Sequence, residues 1–287
     1  MTAEELFKAI KENYSDNLKK SAKVRAIIRK MERASCTTED ALKYAQEAGD
    51  ILGRSFRQFL RESNLDGGVI GDDVAEVIFQ ALRNNYNTIS PDITQIHNVL
   101  MDNAGLHVVP KSTPFNGTGA NNLAKLVEET SQGELGLPEA LRILTEETTL
   151  LSQQIADETA RNNAEFMERS GVDMKITRTA SARACDWCRE HSYGGKTFHS
   201  YSELPDMFFA RHHNCDCVID VVYANGNRSQ AWAGGSGKRA WTRGEDGHWY
   251  KNSYESQLSL TTANFRRTGD TRTVRRWRDV KTGMVRA

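Results

Sequence analysis

The sequence predicts an α+β protein in which a helix-rich N-terminal region precedes a small domain with a short β-sheet and then an extended basic tail. Three observations predict it. Apolar residues recur at three- and four-residue intervals through the first 170 residues. Four cysteines crowd into residues 185–217, where the pattern shortens towards alternation. Glycine, tryptophan and arginine then dominate with little periodicity. The expected boundaries are 1–170, 171–224 and 225–287.

Leu6, Ile10, Tyr14 and Leu18 lie four apart, and Val24, Ile28 and Met31 resume the stripe, so one helix is expected over about residues 3–34. Thr37 and Asp40 resemble a capping pair that opens a second helix, in which Leu42, Ala45, Gly49, Leu52, Phe56 and Phe59 keep helical spacing. These two helices are expected to pack as a hairpin. Residues 72–85 form a shorter amphipathic segment. A separate helix is expected over 91–103, with Ser90 as N-cap and Pro91 at the first helical position. Two prolines and three glycines make 105–119 a loop. Pro138 then opens the longest helix, whose Leu137, Leu141, Leu144, Thr148, Leu151 and Ile155 form a lengthwise seam. That seam suits a partner helix in the same chain or in a neighbouring subunit. Strands are expected at 175–179, 196–201 and 218–223.

At 287 residues with 38% hydrophobic and 26% charged content, the chain can bury a sizeable core. It contains no run of 18 apolar residues, and its charged amphipathic start lacks the apolar segment of a secretory signal. A cytoplasmic origin is therefore expected. The net charge of zero hides an asymmetry, since residues 224–287 carry thirteen Lys and Arg against five Asp and Glu. Four of the five tryptophans, Trp232, Trp241, Trp249 and Trp277, lie among these arginines. Such a tail suits phosphate and base contact, or docking on an acidic protein surface, or simply a solvated end.

The chemistry concentrates in Cys185-x-x-Cys188 and, after a 26-residue gap, Cys215-x-Cys217. Cys185 and Cys188 at the ends of a tight turn can grip one ion. Cys215 and Cys217, two apart where a strand begins, can aim their sulfurs to one side. A tetrahedral sulfur site is expected, with structural zinc as the metal and the small domain stabilised by it. His212, three residues before Cys215, is a fifth candidate for four positions. A redox-active or disulfide pair and simple packing thiols are the alternatives. Cys36 stands apart and is expected to be an ordinary packing or surface thiol.

Residues 174–224, with ACDWCRE from Ala184, a glycine turn at Gly194 and Gly195, and RHHNCDC running into a strand, resemble the MuF-like head-morphogenesis proteins of tailed phages. The CxxC, His and CxC elements of that family map onto Cys185, Cys188, His212, Cys215 and Cys217, and where many relatives have His-Pro this chain has His212 and His213. The resemblance implies a minor capsid protein of the virion, at the capsid interior or portal vertex, made in the host cytoplasm. It implies the portal protein or major capsid protein as partners and a part in DNA packaging or ejection; the basic, aromatic tail adds phage DNA as a further expected partner, the lack of a long apolar run leads to no membrane being expected, and no catalysis is expected. The alternative from another class is a metal-dependent nuclease or hydrolase using His212 or His213 as base. Against it, no Asp/Glu set completes a catalytic metal site. The loose dinucleotide pattern at Gly235, Gly237 and Ala240 follows no apolar strand and is set aside.

Overall fold

The computed structural model describes residues 1–106, 108–182, 184–212, 215–223, 241–244 and 247–251, together with two short strands at 277–278 and 285–286. The fold is α+β: six long helices, then a three-stranded antiparallel sheet. The loose dinucleotide pattern set aside above, Trp232 and most of the basic tail lie outside the described residues.

Helix α1 (Ala3–Lys20) opens with a capping box between Thr2 and Glu5 and buries Leu6, Ile10, Tyr14 and Leu18. The expected single helix over 3–34 is two, because Ser21 ends α1 in an extended conformation and caps α2 (Ala22–Glu32). Its hydroxyl accepts the Val24 N–H at 3.4 Å and donates to Glu47 at 3.0 Å, so a tertiary partner holds the break. Thr37 and Asp40 do form a capping box at the start of α3 (Thr38–Phe59).

Segments 72–85 and 91–103, expected as separate helices, are one continuous helix, α4 (Asp72–Asn103), with Pro91 inside it. Proline there removes one backbone hydrogen bond, but Ile89, Ile93 and Ile96 around it are fully buried. Packing therefore decides continuity over the local preference. Asn116 caps α5 (Gly117–Gln132), which buries Ala120, Leu123, Ala124 and Val127 and begins within the expected loop. The longest helix, α6 (Gly136–Arg169), carries Pro138 in its first turn, where the missing N–H costs nothing.

The partner of α6 is α3 of the same chain. Their contact is closer than a leucine seam allows. A Cβ on Gly49 would lie 2.7 Å from Thr149 Cα, and one on Gly53 would lie 2.8 Å from Thr145 Cγ2. A polar relay crosses the bundle beside this contact: Tyr14 donates to Asn85 at 2.6 Å and Asn85 to Ser152 at 2.8 Å.

Strand β1 (Met174–Thr179) is flanked by β2 (Thr197–Phe198) and β3 (Val218–Tyr223), both antiparallel to it. The strand expected at 196–201 is thus only two residues long, and the chain after it bends away. Between β1 and β2 lies a short helix, α7 (Asp186–Glu190). Met174, Ile176, Ile219, Val221 and Tyr223 face a second core that they share with Met101 and Leu106 at the end of α4 and Ala160, Ala164 and Met167 of α6. The sheet is therefore seated on the C-terminal ends of two long helices. Thr38 at the start of α3 also donates to Asp220 on β3.

Of the expected tail, residues 241–244 and 247–251 pack against the helical core. Strands β4 (Trp241–Arg243) and β5 (Trp249–Lys251) pair as a hairpin, and Trp241 is buried in the main helical core. The Trp249 Nε1–H donates to Asp92 at 2.8 Å, and Arg243 lies 3.3 Å from the same carboxylate.

Candidate metal centre

The site forms where β1 leaves the sheet and β3 enters it. Cys185 is the N-cap residue of α7 and Cys188 lies within that helix, so the pair sits on a helical turn and not at the two ends of a simple tight turn. The N–H of Arg189 donates to the Cys185 carbonyl at 3.0 Å, which fixes the spacing. The return path needs tight reversal: Tyr193, Gly194 and Gly195 all have positive φ, at 52°, 66° and 74°. The chain then comes back through Phe208 and Arg211 to His212, Cys215 and Cys217, immediately before β3.

All five sequence-predicted donors meet. His212 Nε2 lies 3.2 Å from Cys185 Sγ and 2.9 Å from Cys188 Sγ, and Cys188 Sγ lies 3.5 Å from Cys215 Sγ. They form two overlapping groups of three, Cys185 with Cys188 and His212, and Cys188 with Cys215 and Cys217. Cys188 belongs to both. Each group has its donor atoms within 4.8 Å of one another. Two sulfurs bound tetrahedrally to zinc at ~2.3 Å would be about 3.8 Å apart, so the cluster has the right scale for one ion. Cys188, Cys215 and Cys217 are buried and Cys185 is exposed. His213 lies outside the described residues. Cys36 is buried in the helical core, away from the cluster, as a packing thiol.

The electrostatics fit a cation. Burial and the neighbouring thiols Cys217 and Cys215 hold the Cys188 thiol well above its ordinary range. Burial also raises Cys217. At Cys215 burial opposes ionisation, but the Cys217 backbone N–H and the Arg211 charge outweigh it, and its thiol falls below the ordinary value. Ionisation is thus eased at Cys215 and opposed at Cys188 and Cys217, whose neighbouring thiols repel a further negative charge. A divalent ion relieves that repulsion and takes all of its thiol ligands in the deprotonated form.

Residues that the sequence did not single out hold this cluster in place. The Arg211 guanidinium, 1% exposed, pairs with Asp157 of α6 and donates to the Cys217 carbonyl at 2.7 Å. Gln153, one helical turn before Asp157, donates to the Cys215 carbonyl at 3.3 Å. The spacing of Gln153 and Asp157 by four, facing the same way on α6, is the only signal the sequence offers. Trp187 stacks on His191 with ring centres 4.0 Å apart and meets His212 edge-on at 5.1 Å, closing one side of the cluster.

Comparison with family models, curated proteins and solved structures returned no match. A cleft of about 660 Å³ lies between α4, α6 and the segment before Arg211, and its walls include Tyr86, Phe115, Glu158 and Arg161. None of the five donors lines it. Among the described residues, no helix is long and apolar enough to cross a membrane.

Proposed function

We propose that this chain is a minor head protein of a tailed phage, with a structural and assembly role, and that its Cys/His cluster binds one structural zinc ion. The observation that carries the reading is the convergence of the CxxC pair, His212 and the CxC pair on one cluster, the same elements on which the family resemblance rests. Sulfur-rich donors favour zinc, and four protein ligands leave no position for an activated water, which weighs against the hydrolase alternative. His212, one of the two bases that alternative would use, has its Nε2 against two sulfurs. The ion would join the turn of α7 to the entry of β3 and so close the small sheet.

In this reading the chain acts at the portal vertex or capsid interior, with the portal or major capsid protein as partner, and the basic C-terminal segment contacts phage DNA or an acidic protein surface. Three experiments test it. Elemental analysis of purified protein should give about one zinc per chain, lost in Cys188→Ser because that thiol serves both ligand groups; a metal-free wild type removes the metal half of the proposal. The Co²⁺-substituted absorption spectrum of Cys217→Ser against His212→Ala identifies whether four thiolates or three with His212 are used. Co-expression with the portal and major head proteins of the same genome, followed by sedimentation, should place the chain in assembled particles. Its absence from those particles would remove the head-protein half.

A further inference from the structure

We infer that Arg178 is a positioning residue of the metal centre, a buried cation whose counter-charge is the metal–thiolate cluster itself. The inference rests on the proposed metal site and extends it. Along β1 the residues Met174, Ile176 and Arg178 face inward, and the first two are the apolar floor of the second core. The third position of that face is an arginine with no exposed surface. Register explains its destination. Arg178 is paired with Ile219, and Cys217 lies two residues before Ile219, hence on the same face and diagonal to Arg178.

The side chain is only partly satisfied. Its Nη1 donates to the Phe208 carbonyl at 2.6 Å, and the guanidinium lies 5.3 Å over the ring of Trp187, the residue that precedes Cys188 in α7. Its Nε and Nη2 have no hydrogen-bond partner among the described residues. No described carboxylate pairs with it either, in contrast to Arg211, which has Asp157. A buried cation with unmet donors is costly, so such a group marks a missing acceptor of opposite charge. A divalent ion with three thiolates and a neutral imidazole carries −1, and with four thiolates −2, and metal-bound sulfur also accepts hydrogen bonds. A disulfide or a neutral thiol cluster would supply no such charge.

The test is zinc affinity by chelator competition on the full chain, comparing wild type with Arg178→Met and Arg178→Lys, each checked for native helix content. Loss of a partner of this kind weakens metal binding by about 10–100-fold. Arg178→Met should show that loss, and Arg178→Lys, which keeps the charge, should recover most of it. Equal affinity of wild type and Arg178→Met overturns the inference and leaves the metal site standing. No zinc uptake by wild type overturns both. Should Arg178→Met not fold, ¹⁵N-labelled wild type answers instead: the Arg178 Nε–H resonance should shift and gain exchange protection on zinc addition, and an unchanged resonance overturns the inference.

Discussion

His97 on α4 illustrates how a single residue couples burial to pH. It is fully buried, neither ring nitrogen has a partner among the described residues, and burial lowers its pKa from 6.5 to about 4. The unfolded chain therefore binds the proton more tightly than the folded one. The stability this represents is complete above about pH 6.5 and is lost as pH falls towards 4, by about 3 kcal/mol in all. Urea unfolding of wild type and His97→Leu across this window should show the wild type losing that much more stability than the variant. Parallel curves would mean that His97 finds a partner on protonation. Neither its burial nor that of Arg178 is visible in sequence, where His97 sits among Gln95, Asn98 and Thr94 in a polar-looking stretch.

At the scale of elements, the α3–α6 contact is set by two glycines and not by the leucine seam. Gly49→Ala places its Cβ against backbone, at 2.7 Å from Thr149 Cα, so helix separation must grow. The expected cost is about 1–3 kcal/mol. Gly53→Ala meets the Thr145 side-chain methyl at 2.8 Å, which can rotate, and should cost less. Thermal unfolding of the two variants checks the order, and a reversed order would refute this account of the contact. A second element-scale link is Asp157 with Arg211, buried at 7% and 1% side-chain exposure. Asp157→Asn leaves Arg211 as an unpaired buried charge and should destabilise by about 3–5 kcal/mol in chemical denaturation. Affinity for the proposed zinc ion should fall with it, since Arg211 also holds the carbonyls before β3. A variant as stable as wild type would show that the pair contributes nothing net. Beyond the four-residue spacing of Gln153 and Asp157, neither contact is legible in the sequence, because helical periodicity reports which face is buried and not how near the next backbone comes.

For the whole molecule, the two cores predict where removal of the proposed metal is felt. The cluster adjoins the sheet, and the sheet shares its core with the ends of α4 and α6, whereas α1–α3 pack in the main core. With the proposed ion bound and free zinc about 100-fold above its Kd, the ion adds ~2.7 kcal/mol, so chelation should lower the unfolding midpoint by roughly 5–10 °C at ~2–4 °C per kcal/mol. Hydrogen exchange should rise across 174–223 and at residues 160–169, with α1–α3 protected as before. Uniform loss of protection would mean that the cores do not respond separately. The β4–β5 hairpin, held by Trp241 and by Trp249 on Asp92, should stay with the helical core.

The sequence by itself determined the α+β class, the capping of α3 by Thr37 and Asp40, the inward stripe of α1, strands β1 and β3, and the five donors of the cluster. These are local in origin: spacing, capping chemistry and paired cysteines act over a few residues, where the order of side chains is enough. Tertiary structure decided the rest. It broke one expected helix at Ser21, whose hydroxyl is held by Glu47, and joined two others across Pro91, where burial of Ile89 and Ile93 outweighs one lost hydrogen bond. It also brought Asp157, Gln153 and Arg178 to the cluster from a distant helix and from the neighbouring strand. Those placements depend on which surfaces meet in three dimensions, and a pattern of residues along one chain segment carries no record of the segment it will face.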